Sequence, residues 1–198
     1  MGIISNAFDE LKWRGMIYDQ MDGVEDLLAN QKVTVYNGFD ATGDSLHVGH
    51  LVPLLALARL QRFGHHTIAL AGGGTSMIGD PSGKSEERNL LSMDIVNQNL
   101  LSIKEQLSHF LDFDNKINPA RVMNNADWLM KLNFVDFLRD IGKFFTVNYM
   151  LSKDSVKNRI EREEGISYTE FSYMLLQSYD FLHLNLHENC LLQTGGSD

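Results

Sequence analysis

Residues 44–50 read DSLHVGH, so His47 and His50 stand three apart with Gly49 between them. The apolar run LVPLLALARLQRF follows. Positions i and i+3 share a helix face. Two imidazoles placed there could ligate a metal, pack without a task, or grip an anion. Zinc would want further ligands at suitable spacing, and the chain has one cysteine and no HExxH. The pair falls in the first turn of a helix that follows a strand. Free N–H groups and the positive end of the helix dipole point there, which favours phosphate. Gly49 lets a flat ring or a sugar approach the backbone. These residues favour an anion, and no metal is expected.

A second group lies in AGGGTSMIGDPSGKS, residues 71–85. It follows a strand end, where open α/β sheets place ligands. GDPSGKS lacks the spacing of a P-loop. Asp-Pro and Ser-Gly are turn dipeptides, so an ordinary turn is one reading. In the other, Asp80 faces a pocket and Lys84 and Arg88 meet a polyphosphate. A third group, Tyr173, Gln177 and Asp180, lies at i, i+4 and i+7. This is either an exposed face or a polar wall that needs a polar ligand, since buried unpaired groups are costly. Tyr36 poses the same question on a strand, because a buried Tyr hydroxyl usually finds a partner. The charged run DSVKNRIEREEG reads as a solvated helix with i,i+4 pairs and is given no chemistry.

The elements that must hold these groups can be read from pattern. Helices are predicted around Ile4, Phe8 and Leu11, over VEDLLANQ, and from about His47 to Phe63. Asp44 or Ser45 is the expected cap of the last of these, and Gly64 its stop. A helix is expected over most of 86–111, another over WLMKLNFVDFLRDIG, and a long one over YTEFSYMLLQSYDFLHL. Strands are expected at VTVYNGF, TIALAGGG and CLLQTGG, with a short one at RVMNNA. Strands alternating with helices predict an α/β fold with a parallel, Rossmann-like sheet.

The bulk numbers bound the class. The chain has 198 residues, of which 43% are hydrophobic, enough for one well-cored domain. A net charge of −9 argues against DNA or an anionic membrane as the main partner. Cys190 is the sole cysteine, which fits a reducing compartment. The start MGIISNAFDELKWRG is neither a signal peptide nor a myristoylation site, and no apolar stretch is long enough to span a bilayer. A cytoplasmic protein is expected. A chain that stops on GGSD after a buried-looking strand also reads as part of a longer protein.

Taken together, the segments resemble the catalytic domain of the bacterial tyrosyl-tRNA synthetases, a class I aminoacyl-tRNA synthetase family. GFDATGDSLHVGHLVPLLAL is similar to the first family signature, with its histidine motif appearing as HVGH. AGGGTSMIGDPSGKSEER, NNADW, FLRDIGKFFTVNYML, TEFSYMLLQSYDF and LQTGGSD follow in the expected order. Ala41 stands where the family often has proline. The resemblance covers nearly all of residues 1–198 as one incomplete, Rossmann-like catalytic domain. The family's lysine-rich KMSKS-type loop and its C-terminal tRNA-binding region are not among these residues.

The resemblance implies ATP-dependent activation of L-tyrosine to tyrosyl-adenylate, then transfer to tRNA(Tyr), with Mg2+ accompanying ATP. It implies that Thr42 and His47 contact the outgoing phosphates and that His50 lies near the ribose. The backbone at Gly38, Asp40 and Gly49 would approach the nucleotide, and Gly196 and Asp198 would line its ribose. Tyr36 and Asp180 would bond the phenolic hydroxyl of the substrate, and Asp80, Tyr173 and Gln177 its ammonium. Lys84 and Arg88 would assist at pyrophosphate. A homodimer is implied, with residues 134–145 and the region of Tyr168 as the expected interface. A chain of these residues alone is expected to bind tyrosine but turn over little. The alternative is another nucleotidyltransferase of the HxGH superfamily, which would lack the helix bearing Tyr173, Gln177 and Asp180.

Overall fold

Asn6 opens the first helix by accepting the Asp9 N–H at 2.9 Å. Helix α1 (Ala7–Trp13) then buries Ala7, Phe8 and Leu11 on one side, and α2 (Val24–Asn30) follows. The computed structural model describes residues 4–78, 91–161 and 165–196. Strand β1 (Thr34–Phe39) leads to α3 (Val48–Arg62), β2 (His66–Ala71), α4 (Met93–Ser108) and β3 (Arg121–Asn124). Helices α5 (Ala126–Leu129), α6 (Phe134–Asp140), α7 (Val147–Leu151), α8 (Asp154–Glu161) and α9 (Tyr168–Glu188) come next, and β4 (Cys190–Thr194) is last.

The four strands form one sheet in the order β3-β2-β1-β4, and every pairing is parallel. The expected α/β, Rossmann-like fold is therefore present, and RVMN is a full member of the sheet. β1 is central and buried on both faces, as parallel sheets require. Val35 and Phe39 join the core under α1, α3 and α4, while Tyr36 joins Ile68, Leu70, Trp128 and Leu184 on the α9 side. Successive residues of a strand point to opposite faces, so Gly38 shares a face with Tyr36. The chain runs from β1 through β2 to β3, then returns to β4 on the other flank of β1. That reversal opens a crevice at the carboxyl ends of β1 and β4.

Several boundaries differ from the pattern-based expectation. α3 begins at Val48 and is capped by His47 itself, not by Asp44 or Ser45. α4 begins at Met93, capped by Ser92, and residues 86–90 of the expected helix lie outside the described residues. WLMKLNFVDFLRDIG is not one helix: α5 ends at Leu129, and Asn133 caps α6 by accepting the N–H groups of Val135 and Asp136. The charged run forms α8 but is not merely solvated. Arg159 is buried and makes two bonds to the Glu170 carboxylate, at 3.3 and 3.2 Å. The same guanidinium donates Nε–H to the Gly165 carbonyl, which ties α8 to the start of α9.

Candidate active site

All four strands are parallel, so their carboxyl ends share one edge of the sheet. The loop after β1 carries Asp40 and Thr42. Asp40 accepts the Thr42 N–H at 3.1 Å and the Thr42 hydroxyl at 3.2 Å, which curls the loop on itself. Ser76, just past the β2 glycines, donates its hydroxyl to Asp40 at 2.6 Å and accepts the Ala41 N–H at 2.9 Å. From α4, Asn99 donates to the Ala41 carbonyl at 2.8 Å. Gln106 accepts the Leu46 N–H at 2.9 Å and donates to the Asp44 carbonyl at 3.0 Å. The loop is thus held from two sides by residues with no obvious signal in the sequence.

The histidines form the helix cap. His47 Nδ1 accepts the Gly49 N–H at 3.0 Å, and His50 Nδ1 accepts the His47 N–H at 3.2 Å. The two rings stack with centroids 3.8 Å apart. An Nδ1 that accepts leaves the proton of a neutral imidazole on Nε2, so each ring keeps a donor for something outside the helix. Burial, and then the neighbouring His47, lower the His50 pKa below its ordinary 6.5, while Asp40 pulls the other way. Gly49 has a reason beyond ligand access: a Cβ there would lie 2.8 Å from His47 Cε1.

The glycines after β2 also serve packing. A Cβ on Gly73 would meet Asn124 Oδ1 at 2.2 Å, and one on Gly72 would meet Thr75 Oγ1 at 2.7 Å. This closeness lets Asn125, at the end of β3, reach three partners. Its Oδ1 accepts the Gly74 N–H at 2.7 Å, and its Nδ2 donates to Thr75 Oγ1 at 3.0 Å and to Asp180 Oδ2 at 2.9 Å. Trp128 Nε1–H donates to the other carboxylate oxygen of Asp180 at 2.7 Å. Burial raises the Asp180 pKa to about 6, against these two bonds, which lower it.

Tyr36 lies beside this cluster. Its ring meets Phe181 with centroids 5.6 Å apart, and its hydroxyl is buried with no hydrogen-bond partner among the described residues. Burial, then Asp180, hold its pKa well above the ordinary tyrosine value, so it is a neutral donor. Gly38, next along the same face, is exposed and leaves open space where a Cβ would stand. The α9 side of β1 thus holds a buried carboxyl group and a buried phenol donor that has no partner among the described residues. Each carboxylate oxygen can accept a second bond, so Asp180 has capacity left for a ligand hydroxyl.

The remaining sequence-selected residues divide. Tyr173 is half-buried, Gln177 exposed and Asp180 buried on α9. Gly196 follows β4, and with Gly49 it lines a cavity of about 650 Å³ that continues along Val52, Pro53 and residues 15–21. The crevice between β1 and β4 thus brings Gly49 and Gly196 to one space, with Tyr36 and Asp180 across β1. Asp80, Lys84, Arg88 and Asp198 lie outside the described residues. Asn125, Trp128 and Thr75 were not selected from the sequence as site residues. A Trp three residues after an Asn at a strand end was the available signal, since a buried indole N–H needs an acceptor. Among the described residues, no group of three or more His, Cys, Asp or Glu could hold a metal, and no helix is long and apolar enough to cross a membrane.

Comparison with known proteins places the chain in a family. The profile described as tRNA synthetases class I (W and Y) matches residues 28–198. The chain is 59% identical over 195 residues to a Tyrosine--tRNA ligase of Roseiflexus castenholzii, covering 98% of this chain and 46% of that protein. It is 56% identical over 197 residues to Tyrosine--tRNA ligase 1 of Bacillus subtilis, with the same coverage of 98% and 46%. A C-terminally truncated mitochondrial tyrosyl-tRNA synthetase of Aspergillus nidulans has a similar structure, with TM-score 0.88 and 31% identity, over 98% of this chain and 57% of that one. The chain spans about half the length of the curated relatives it matches. With the profile matching most of its length, the chain belongs to the class I tRNA synthetases of the W and Y group.

Proposed function

We propose that the protein carrying these residues is a tyrosine–tRNA ligase, which activates L-tyrosine with ATP and passes the tyrosyl group to tRNA(Tyr). The observation that carries the proposal is the unpartnered Tyr36 hydroxyl beside the buried Asp180 carboxylate. A phenolic substrate hydroxyl would donate to Asp180 and accept from Tyr36, satisfying all three groups. The ammonium would lie toward Tyr173, Gln177 and Asp80.

The chemistry needs no strong base, because the substrate carboxylate is already ionised when it attacks the α-phosphate. The protein's part is positioning and stabilisation of phosphate charge. His47 and Thr42 would meet the outgoing phosphates, and His50 the nucleotide near the ribose, each ring through Nε2–H. The backbone at Gly38, Asp40 and Gly49 would approach the nucleotide, whose ribose would lie toward Gly196 and Asp198. Lys84 and Arg88 would assist at pyrophosphate. Mg2+ would arrive with ATP rather than in a protein cage.

The relatives' names favour this over another HxGH nucleotidyltransferase, and so does α9, which carries Tyr173, Gln177 and Asp180 together. Pyrophosphate exchange into ATP by the whole protein tests it: exchange should require tyrosine. Exchange that ignored tyrosine and required another acceptor would favour the alternative. Tyrosine affinity and adenylate formation, measured on the 198 residues alone, should separate, with binding kept and turnover low.

A homodimer fits the surface. α6 buries none of its residues, and Phe134, Val135, Leu138, Phe144 and Tyr168 are exposed. A second copy would cover this apolar area, and Phe134→Asp should then yield a monomer in sedimentation. A cytoplasmic location fits the lone, buried Cys190.

A further inference from the structure

Trp128 has a second neighbour that the activity above does not use. Its indole stacks on the His183 imidazole, with centroids 4.2 Å apart and planes 17° apart. His183 lies three residues beyond Asp180 on α9, on the same helix face. Behind it, the His187 ring is 4.3 Å away and the Tyr179 ring 6.3 Å away. The indole is therefore held on its edge by the bond to Asp180 and on its face by His183. Trp128 itself sits on α5, a helix of four residues, and its buried side chain belongs to the core cluster of Ile68, Leu70 and Leu184.

We propose that His183 is a positioning residue that sets how sharply the pocket separates a phenol from an unsubstituted ring. By clamping the Trp128 indole, it keeps Nε1–H on Asp180 Oδ1 and so fixes the plane of the carboxylate. The lone pairs left over then point at the ligand hydroxyl. Without the clamp the indole turns, Asp180 keeps only Asn125, and its oxygens lose their aim. This inference rests on the tyrosine reading of the site.

The test uses His183→Ala and His183→Phe in the whole protein, with two readouts. One is kcat and KM for activation of tyrosine and of phenylalanine. The other is solvent exchange of the Trp128 indole N–H by NMR, assigned with Trp128→Phe; the chain's one other tryptophan is Trp13. In His183→Ala the preference for tyrosine should fall about three- to tenfold. The loss should appear mainly in KM for tyrosine, with faster indole exchange. His183→Phe, which can still stack, should restore both. An unchanged preference in His183→Ala, or equal loss in both variants, overturns the proposal. If the unmodified protein shows no preference for tyrosine, the proposed function fails instead. The indole exchange then decides by itself whether His183 holds Trp128.

Discussion

His50 Nδ1 accepts the backbone N–H of His47 at 3.2 Å, and the two imidazoles stack at 3.8 Å. A pair that looks like two ligands is also the cap that starts α3. Capping fixes which nitrogen of each ring faces outward. The structural and chemical readings of HVGH are therefore one arrangement.

Gly49→Ala tests this arrangement. The new Cβ would stand 2.8 Å from His47 Cε1, so the ring must leave its cap. Adenylate formation should slow by about ten- to a hundredfold, because a displacement near 1 Å is costly for positioned groups. Tyrosine affinity should stay nearly unchanged, since the Asp180 pocket lies across β1. Equilibrium binding and single-turnover kinetics separate the two.

Asp180→Asn should reduce discrimination against phenylalanine by roughly tenfold or more, because the ligand hydroxyl loses a charged acceptor. Relative activation rates of the two amino acids measure it. The Asp180 pKa of about 6 also predicts a pH dependence: tyrosine affinity should rise as pH increases through 6 and then level off. The stability sign is opposite. A carboxyl raised from 3.8 to about 6 favours the fold fully below 3.8, and that contribution is lost as pH rises through 6.

Arg159→Ala would leave the Glu170 carboxylate buried without its partner. Such removals cost about 3–5 kcal/mol. Urea unfolding should show this loss, and the double variant Arg159→Ala, Glu170→Ala should recover part of it. Tyrosine binding should weaken too, because the pair anchors the start of α9, which carries Tyr173 and Gln177.

His65 is fully buried, and its Nδ1 accepts the Val33 N–H at 3.3 Å. Burial foremost, and then Lys32, depress its pKa from 6.5 to about 4. The folded chain resists protonation that the unfolded chain accepts below 6.5. Stability from this residue is thus complete above 6.5 and is lost as pH falls toward 4. The loss should be about 2 kcal/mol by pH 5, read as a lower Tm. His65→Gln should remove this part of the pH dependence.

Much of the fold was legible in local pattern. β1 and β2 are β-branched, apolar runs closed by glycine, and α3 and α9 are long enough to impose their period. Boundaries failed where side chains decide them. Nothing in residue type marks His47 as a better cap than Asp44 or Ser45; its ring wins because Gly49 leaves it room. The break between α5 and α6 likewise depends on Asn133 capping a new start. Arg159 read as a surface charge, since helix spacing cannot reveal that Glu170 waits eleven residues on.

For the site, the sequence alone determined the residue types at strand ends and helix starts: the two histidines, the glycines, Tyr36, and the Tyr173, Gln177, Asp180 series. Local order fixes these because a strand end and the following turn are neighbours along the chain. Only the tertiary structure decided which of them meet. Tyr36 and Asp180 are 144 positions apart, and the return of β4 to the free flank of β1 brings α9 over Tyr36. That same return places Asn125 and Trp128 around the Asp180 carboxylate and His183 against the Trp128 ring. Burial then raises the Asp180 pKa and leaves the Tyr36 hydroxyl waiting for a partner, and both effects depend on the sheet closing over them.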